Sequence, residues 1–273
     1  MPNSDFSLTF EALLKEALFT REILGAGATQ IRRANYASKG LYFLAFTSLS
    51  TGIERLGKLC LMLDHLAERG AFPDMACLKR DIGHRVLVLY ERTSALVARR
   101  ALQLRFNQSL DSPIHQAVLR CLHDYAEGDR YSNINLLSGS SSGADPIATW
   151  YRTVDVSLFE QRVPAARRER IRSNAREVAQ LLGTSTIVFH TSETGDTISE
   201  MEEASYRAGV VSVVGQYRQL YVLQIIRYWV EVLLKLQCIT MGRYSDIPDF
   251  AEILGPFLSR DAYLKSRKTW DRL

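Results

Sequence analysis

The sequence predicts an all-α fold, a helical bundle built from long antiparallel helices. Apolar residues recur at spacings of three and four along most of the 273-residue chain, which is the pattern of helices with a buried face. Alternating, strand-like patterns are nearly absent, and a hydrophobic share of 47% is enough for a large core. Turn signals such as Gly70 and Gly183 end several of the periodic runs. The length accommodates one large helical domain or two smaller ones.

The N-terminal region contains several runs with helical period. Gly25 and Gly27 are expected to end the first run, and Gly70 the second. Ser112-Pro113 begins a later one, because proline is favoured in the first turn of a helix. The expected helices cover residues 7–24, 33–69, 75–82, 86–105 and 112–126.

A break in the helical period separates two regions. Residues 131–145 contain clusters of serine and glycine, which indicate a surface loop or a linker. We therefore divide the chain into a helical bundle over 1–137, a Ser/Gly-rich loop over 138–145 and a C-terminal helical region over 146–273. Residues 186–189 are either one short strand or an extended crossing. The expected C-terminal helices cover residues 164–182, 199–241, 248–255 and 259–270.

Two segments of the sequence resemble each other. Glu54-x-x-x-Lys58-Leu and Glu231-x-x-x-Lys235-Leu each stand near the end of a long predicted helix, and each is followed by a short loop and Pro-Asp. A glutamate and a lysine four apart lie on one helix face and can pair. The match indicates either a duplication, which would make the C-terminal region a degenerate repeat of the first, or chance.

A family resemblance rests on the helix that ends IERLGKLCLML, the loop with Pro73 and the following DIGHRVLVLYE. Together with Asp129-Arg130-Tyr131-Ser132-Asn133, these segments are similar to the HEPN superfamily of helical-bundle proteins. The resemblance covers roughly residues 34–137. It implies a compact helical bundle that is frequently dimeric. Members of the superfamily include RNA-cleaving toxins, antiviral defence proteins and partners of nucleotidyltransferases.

The ribonuclease members of that superfamily place an arginine and, after a polar residue and a short spacer, a histidine at a dimer interface. The nearest match is Arg80-Asp81-Ile82-Gly83-His84, whose spacing is one residue shorter than the family pattern. By this resemblance Arg80 and His84 would be catalytic. His84 would move the proton of a ribose 2′-hydroxyl, and Arg80 would stabilise charge on the phosphate. Alternatively, His84 caps or orients the next helix and Arg80 is solvated.

The strongest concentration of positive charge lies in the helix expected after Pro164. Arg168, Arg172 and Arg176 repeat every four residues and would share one helix face. Such a stripe can follow the phosphates of a nucleic acid, so these three residues form the predicted nucleic-acid-binding site. The alternative is a solvated face whose arginines pair with acidic residues near position 200.

The other chemically reactive residues predict neither a metal nor a cofactor. The four cysteines are isolated, which favours buried thiols over zinc ligands. His115, His123 and His190 have no acidic partners at metal-ligand spacing. Gly25-Ala-Gly27 follows a helix rather than a strand, so it is no nucleotide-binding fingerprint.

The sequence also predicts a cytoplasmic protein without a membrane segment. The first residues lack the continuous apolar run of a signal peptide. The most apolar long window, residues 208–236, is interrupted by Arg218, Arg227 and Glu231. A net charge of +4 is compatible with a nucleic-acid partner without requiring one.

Three interpretations of function follow. The first is a HEPN-like binding or regulatory protein, a homodimer that associates with RNA or a protein partner in a defence or toxin–antitoxin setting. The second is a metal-independent endoribonuclease that pairs Arg80 with His84 across a dimer. The third is a structural helical interaction protein. RNA binding with steep salt dependence would favour the first, and RNA cleavage in the absence of metal ions the second.

Overall fold

The computed structural model of the protein describes residues 6–74, 76, 85–140, 143–183 and 185–271. Its architecture is all-α, as the sequence predicts. A π-helical turn, Tyr151–Asp155, joins α6 to α7, and two short antiparallel strands, β1 (His190–Thr191) and β2 (Thr197–Ile198), form a hairpin between α8 and α9. The helices are α1 (Leu8–Arg33), α2 (Gly40–Arg69), α3 (Val86–Arg99), α4 (Pro113–Glu127), α5 (Ser132–Leu137), α6 (Pro146–Trp150), α7 (Val156–Arg162), α8 (Ala165–Leu182), α9 (Met201–Met241), α10 (Phe250–Leu254) and α11 (Asp261–Ser266).

Helix α9 forms the centre of the bundle. Every residue from 218 to 233 is buried, so the middle of this helix is covered on all sides. Helices α1, α2 and α8 pack against it, as do the short C-terminal helices α10 and α11. Tyr228 and Trp229 are 0% exposed, which confirms that the aromatic residues of this helix pack in the core.

Full burial obliges the polar side chains of α9 to find partners inside the protein, because an unpaired buried polar group is unfavourable. Each of them is bonded to a different part of the chain, so each fastens α9 to another segment. The partners are Asp155 and the Ala34 carbonyl for Arg218, Arg32 and the Ala28 carbonyl for Gln219, His115 and Asp261 for Gln224, Asn107, Asp261 and the Ser259 carbonyl for Arg227, and the backbone N–H groups of Arg105 and Phe106 for Glu231.

The expectation that Gly25 and Gly27 end the first helix is wrong, because α1 continues through both to Arg33. The two glycines allow close packing instead. A Cβ on Gly25 would lie 2.1 Å from the carbonyl oxygen of Trp270, and one on Gly27 would lie 2.7 Å from Cγ of Leu49. These positions therefore require the smallest residue for space, and the backbone stays helical.

The expected helix over 33–69 is shorter at its start, since α2 begins at Gly40. The carbonyl of Ala34, at the break, accepts a hydrogen bond from Arg218 Nη1 at 2.6 Å. A tertiary contact thus coincides with the boundary, which local periodicity could not indicate. The other end is as predicted: Gly70 adopts a left-handed φ of 78° and its N–H caps the helix.

Two of the expected non-helical segments differ from the structure. Part of the loop expected over 131–145 is helical, because the leucine-containing segment Ser132–Leu137 forms α5. Residues 186–189 form no strand, and strand pairing begins only with His190. The helix expected over 75–82 falls outside the described residues except for one position.

Two helices end earlier than their sequence period indicates. The run expected to reach residue 105 ends at Arg99, and Ala101 turns the chain with a φ of 51°. The last helix ends at Ser266 rather than near residue 270. There the chain turns so that Trp270 is fully buried and its N–H donates to Thr29 Oγ1 at 2.8 Å. Tertiary packing overrides local helix propensity at this end.

The N-terminal and C-terminal regions contribute to one hydrophobic core. The two similar segments nevertheless use their glutamates differently. Glu54 and Lys58 form a salt bridge of 2.5 Å on α2. Glu231 is buried and accepts the N–H of Arg105 at 2.7 Å, while Lys235 is exposed. An internal duplication stays a prediction.

The cysteines are mostly placed as expected. Cys60 and Cys121 are buried free thiols, whereas Cys238 is exposed, contrary to the prediction, and Cys77 lies outside the described residues. Burial raises the pKa of Cys121 to about 11, so this thiol stays protonated at neutral pH.

Among the described helices, none is long and apolar enough to cross a membrane. Within the same residues no group of three or more histidine, cysteine, aspartate or glutamate side chains is placed to hold a metal ion. The fold therefore positions its charged groups chiefly as ion pairs and as surface charge.

Substitution Gly25→Ala tests the close contact between α1 and the C-terminal segment. We expect it to lower the free energy of unfolding by about 1–3 kcal/mol, because the added methyl group overlaps the Trp270 carbonyl. This loss outweighs the helix preference for alanine over glycine, about 1 kcal/mol. Gly40→Ala is the control, since a Cβ at Gly40 meets nothing within 4 Å. Urea unfolding measures both, and equal stability of the two variants would contradict the packing described.

Candidate pocket between the basic helix and the π turn

Helix α8 carries the arginines predicted to bind nucleic acid. It follows Pro164, whose carbonyl accepts the N–H of Arg168 at 3.0 Å and starts the helix. Ile171 and Ala175 are its buried residues, so a narrow stripe faces α9. The two helices approach closely, because a Cβ on Gly209 would lie 2.6 Å from Cγ2 of Ile171. The remaining surface of α8 is open to solvent and rich in arginine.

The π-helical turn Tyr151–Asp155 is the second element of the site. It follows α6, which Asp145 caps by accepting the N–H of Ile147 at 2.8 Å. The indole N–H of Trp150 donates to Asp155 Oδ1 at 2.9 Å, five residues later, which matches the period of a π-helix. Single π-helical turns occur frequently at functional sites.

Asp155 and Arg218 form a buried ion pair beneath this turn. Both side chains are 1% exposed, and the guanidinium donates from Nε to Oδ1 at 2.7 Å and from Nη2 to Oδ2 at 2.6 Å. Trp150 and, at 3.4 Å, the hydroxyl of Tyr42 complete the coordination of the carboxylate. Removing either partner of such a pair would leave a buried charge uncompensated.

Electrostatics keep this pair ionised. Burial alone would lower the pKa of the Arg218 guanidinium, but the attraction of Asp155 outweighs burial and raises that pKa above its usual value. Burial raises the pKa of Asp155, and the charge of Arg218 opposes this rise. The carboxylate thus depends on Arg218 to stay charged, and its own charge is neutralised where it borders the pocket.

The β1–β2 hairpin closes one side of the site. Gly195 allows its tight turn with a φ of 93°, and Glu193 beside it is 2% exposed. Glu193 and Glu203 bind Arg207 at 3.3 and 2.9 Å, and this guanidinium lies 5.7 Å from the ring centre of Tyr151. Burial raises the pKa of Tyr151, so its hydroxyl remains a hydrogen-bond donor at neutral pH.

These elements enclose a cavity of about 180 Å³, which we call the α8 pocket. Its walls come from the π turn and α7, from α8, and from the N-terminal half of α9. The wall combines arginines, aromatic rings and aliphatic groups with one exposed carboxylate. The lining residues are Tyr151, Asp155, Val156, Phe159, Glu160, Arg168, Arg172, Tyr206 and Val210.

Two of the three predicted arginines meet in this pocket. Arg168 is half-buried, its Nε is shielded from solvent, and it has no hydrogen-bond or ion-pair partner in the described part of the chain. Arg172 pairs with Glu169 at 3.3 Å, and Arg176 lies outside the pocket and pairs with Glu202 at 3.7 Å. Both pairs are exposed, so they contribute little to stability and can exchange for another anion.

The predicted catalytic pair is not placed by the structure. Arg80 and His84 both lie outside the described residues. The hypothesis of a metal-independent endoribonuclease therefore stays a prediction from the sequence.

Sequence reasoning missed the residues that complete the α8 pocket. Tyr151, Asp155 and Tyr206 stand in segments without a recognisable motif. One signal was present: Asp155 is an acidic residue in an otherwise apolar helix, and Arg218 is a basic residue in another. Two opposite charges in apolar helices indicate a buried ion pair, but the sequence does not show which charges meet.

A second cavity of about 720 Å³ lies between α1, α2 and the end of α4. Its charges are largely internally paired. Arg55 binds Glu16 with both carboxylate oxygens at 2.7 and 2.8 Å, and Lys58 binds Glu54 at 2.5 Å. The α8 pocket differs from this cavity because its central arginine is unpaired.

A polar chain at the other side of α9 begins with His115, which is 5% exposed. Gln224 Nε2 donates to Asp261 at 2.9 Å, so its Oε1 faces His115 Nε2 at 2.9 Å as an acceptor. His115 Nε2 is therefore protonated, and Nδ1 accepts from the Ser112 hydroxyl at 2.7 Å. This arrangement requires a neutral imidazole, as a core histidine would have, and the position agrees with the predicted structural role.

Comparisons with protein-family models, curated proteins and solved structures gave no match to this chain. The HEPN resemblance of residues 34–137 thus stays a prediction, and function has to be argued from the geometry.

The neutral state of His115 predicts a loss of stability in acid. Burial lowers its folded-state pKa, Arg227 reinforces this and Asp261 opposes it. A lowered folded pKa gives stability that is complete above the unfolded pKa of about 6.5 and is lost as pH falls through the folded value. Each unit of lowering corresponds to about 1.4 kcal/mol.

The measurement is urea unfolding at about pH 7.5 and 5.5. We expect His115→Gln to lose less stability between the two conditions than the wild type. His190→Gln, at an exposed position, is the control and should keep the wild-type pH dependence. An unchanged pH dependence in His115→Gln would contradict the neutral assignment.

Proposed function

We propose that the protein is a helical binding or regulatory module that associates with single-stranded RNA through helix α8. The observation that carries the proposal is the unpaired guanidinium of Arg168 at the α8 pocket, with Arg172 beside it and Arg176 farther along the helix. Desolvating part of an arginine without a partner is unfavourable, so such a group is well suited to an anionic ligand.

The spacing of the three arginines supports an extended polyanion. Residues four apart on a helix are separated by a rise of about 6 Å, so Arg168, Arg172 and Arg176 span about 12 Å along one face. Arg172 and Arg176 now bind only exposed carboxylates, which phosphates can replace. Binding of phosphates would release counterions, which gives a strong salt dependence.

The preference for a single strand comes from the aromatic residues beside the arginines. Tyr151, Phe159 and Tyr206 line the same pocket, and aromatic rings hold unstacked bases with little sequence preference. Bases in a duplex are stacked and inaccessible to such a pocket. The choice of RNA over DNA, like the homodimer and the defence setting, rests on the HEPN resemblance alone, which is an argument by analogy.

A salt titration with a single-stranded RNA tests this function. Replacing Arg172 and Arg176 by alanine should weaken binding and reduce the slope of log affinity against log salt by about 2, roughly one for each lost phosphate contact. Fluorescence anisotropy over a range of salt concentrations measures both quantities, and a single-stranded DNA of the same sequence shows the sugar preference.

A matched control removes two exposed arginines elsewhere, Arg120 and Arg243. Arg243 follows the C-terminal end of α9, about 50 Å along the helix from Gly209, where α8 packs. The control should keep the wild-type slope. A flat salt response of the wild type, or an equal loss in both double variants, would overturn the proposed function.

A further inference from the structure

We propose that the α8 pocket binds the terminal phosphate monoester of an RNA strand, with the first nucleoside against its aromatic wall. This inference rests on the proposed function and adds the part of the strand that the pocket recognises. The relevant features are the size of the cavity, its balance of charge and the position of its rings.

The size of the pocket favours a chain end. Cavities that enclose a drug-sized ligand have volumes of about 300–1,000 Å³. The α8 pocket, at about 180 Å³, is smaller and has walls from α7, α8 and α9. It can take one phosphoryl group with part of a sugar or a base, whereas a continuing strand would need a longer channel.

The charges that face the cavity favour a dianion. Arg168 contributes a full positive charge with no partner in the described residues, and Arg172 contributes a second that is shared with exposed Glu169. The carboxylate of Asp155 is neutralised by Arg218. A phosphate monoester carries about −1.5 to −2 charges near neutral pH, whereas a phosphodiester within the strand carries one. Two guanidiniums therefore suit a terminal phosphate better.

Glu160 is the negative charge at the pocket that has no neutralising partner in the described structure. It would repel a phosphate placed beside it, so the phosphate belongs on the Arg168 side of the cavity. A carboxylate at the other side can accept hydrogen bonds from ribose hydroxyls. This division orients the ligand, with phosphate toward α8 and sugar toward α7.

The rings at the pocket complete the fit. Phe159 and Tyr206 contact each other edge to face, with their centres 6.3 Å apart, and present an apolar wall that a base can cover. From the pocket, the strand would continue along α8 past Arg176. The site thus takes one end of a strand and the basic face takes the next phosphates.

Matched RNA strands of about ten nucleotides test the inference, because this length spans a typical single-strand site. The strands share one sequence and carry a 5′-phosphate, a 3′-phosphate or two hydroxyl ends. We expect one phosphorylated strand to bind the full-length protein at least about tenfold more tightly than the hydroxyl strand, the effect of one added charge-assisted hydrogen bond.

Two variants connect this preference to the pocket. Arg168→Lys keeps the charge but loses the planar fork of donors, and should abolish most of the preference while the binding of the hydroxyl strand persists. Glu160→Gln removes the repelling carboxylate and should increase the preference. The gain expected from Glu160→Gln cannot be produced by a folding defect. Arg243→Ala is the control and should keep the wild-type ratio.

Each other result decides against the inference. Equal binding of all three strands, with the salt dependence intact, would overturn end recognition and leave the proposed function standing. Absence of binding to any strand would overturn both. Adenosine monophosphate as competitor provides the last arm: displacement at the same concentration as a phosphorylated strand would assign the pocket to a free nucleotide and overturn the RNA end.

Discussion

The complete burial of the middle of α9 is the constraint on which the rest of the structure depends. A helix that is covered on all sides cannot place its polar side chains in water, so each must bond within the protein. Apolar contacts are not directional, whereas these hydrogen bonds and ion pairs are, so they determine which segment lies at which height along α9. The buried polar residues are Arg218, Gln219, Gln224, Arg227 and Glu231.

The pair of Arg218 and Asp155 connects this constraint to the surface. Through Asp155 it holds the π turn, and the π turn is one wall of the α8 pocket. Neutralising Asp155 also removes a negative charge from the floor of a pocket that we assign to an anion. Arg218, although 1% exposed, thereby supports a site that it does not line. The unpaired Arg168 across the cavity is the counterpart: one arginine is satisfied by the protein, and the other is free for a ligand.

The sequence predicts the elements of this fold better than their ends and contacts. Periodicity alone predicts α4, α8 and α9 closely, because their caps and apolar spacings are local properties. It fails at Gly25 and Trp270, where a tertiary contact sets the structure and no local signal distinguishes a packing glycine from a helix stop. At the site it predicts Arg168 and Arg172 as surface charge, but the wall formed by the π turn depends on contacts between residues far apart in the chain.

A double-mutant cycle on Asp155 and Arg218 tests most directly whether polar partners position α9. The variants are Asp155→Asn, Arg218→Met and the double variant, and urea unfolding gives their free energies. We expect each single substitution to cost about 3–5 kcal/mol and the double variant to cost less than their sum by about 2–3 kcal/mol, because it leaves no unpaired buried charge. Additivity within about 0.5 kcal/mol would show that the two residues are not coupled and would contradict this account.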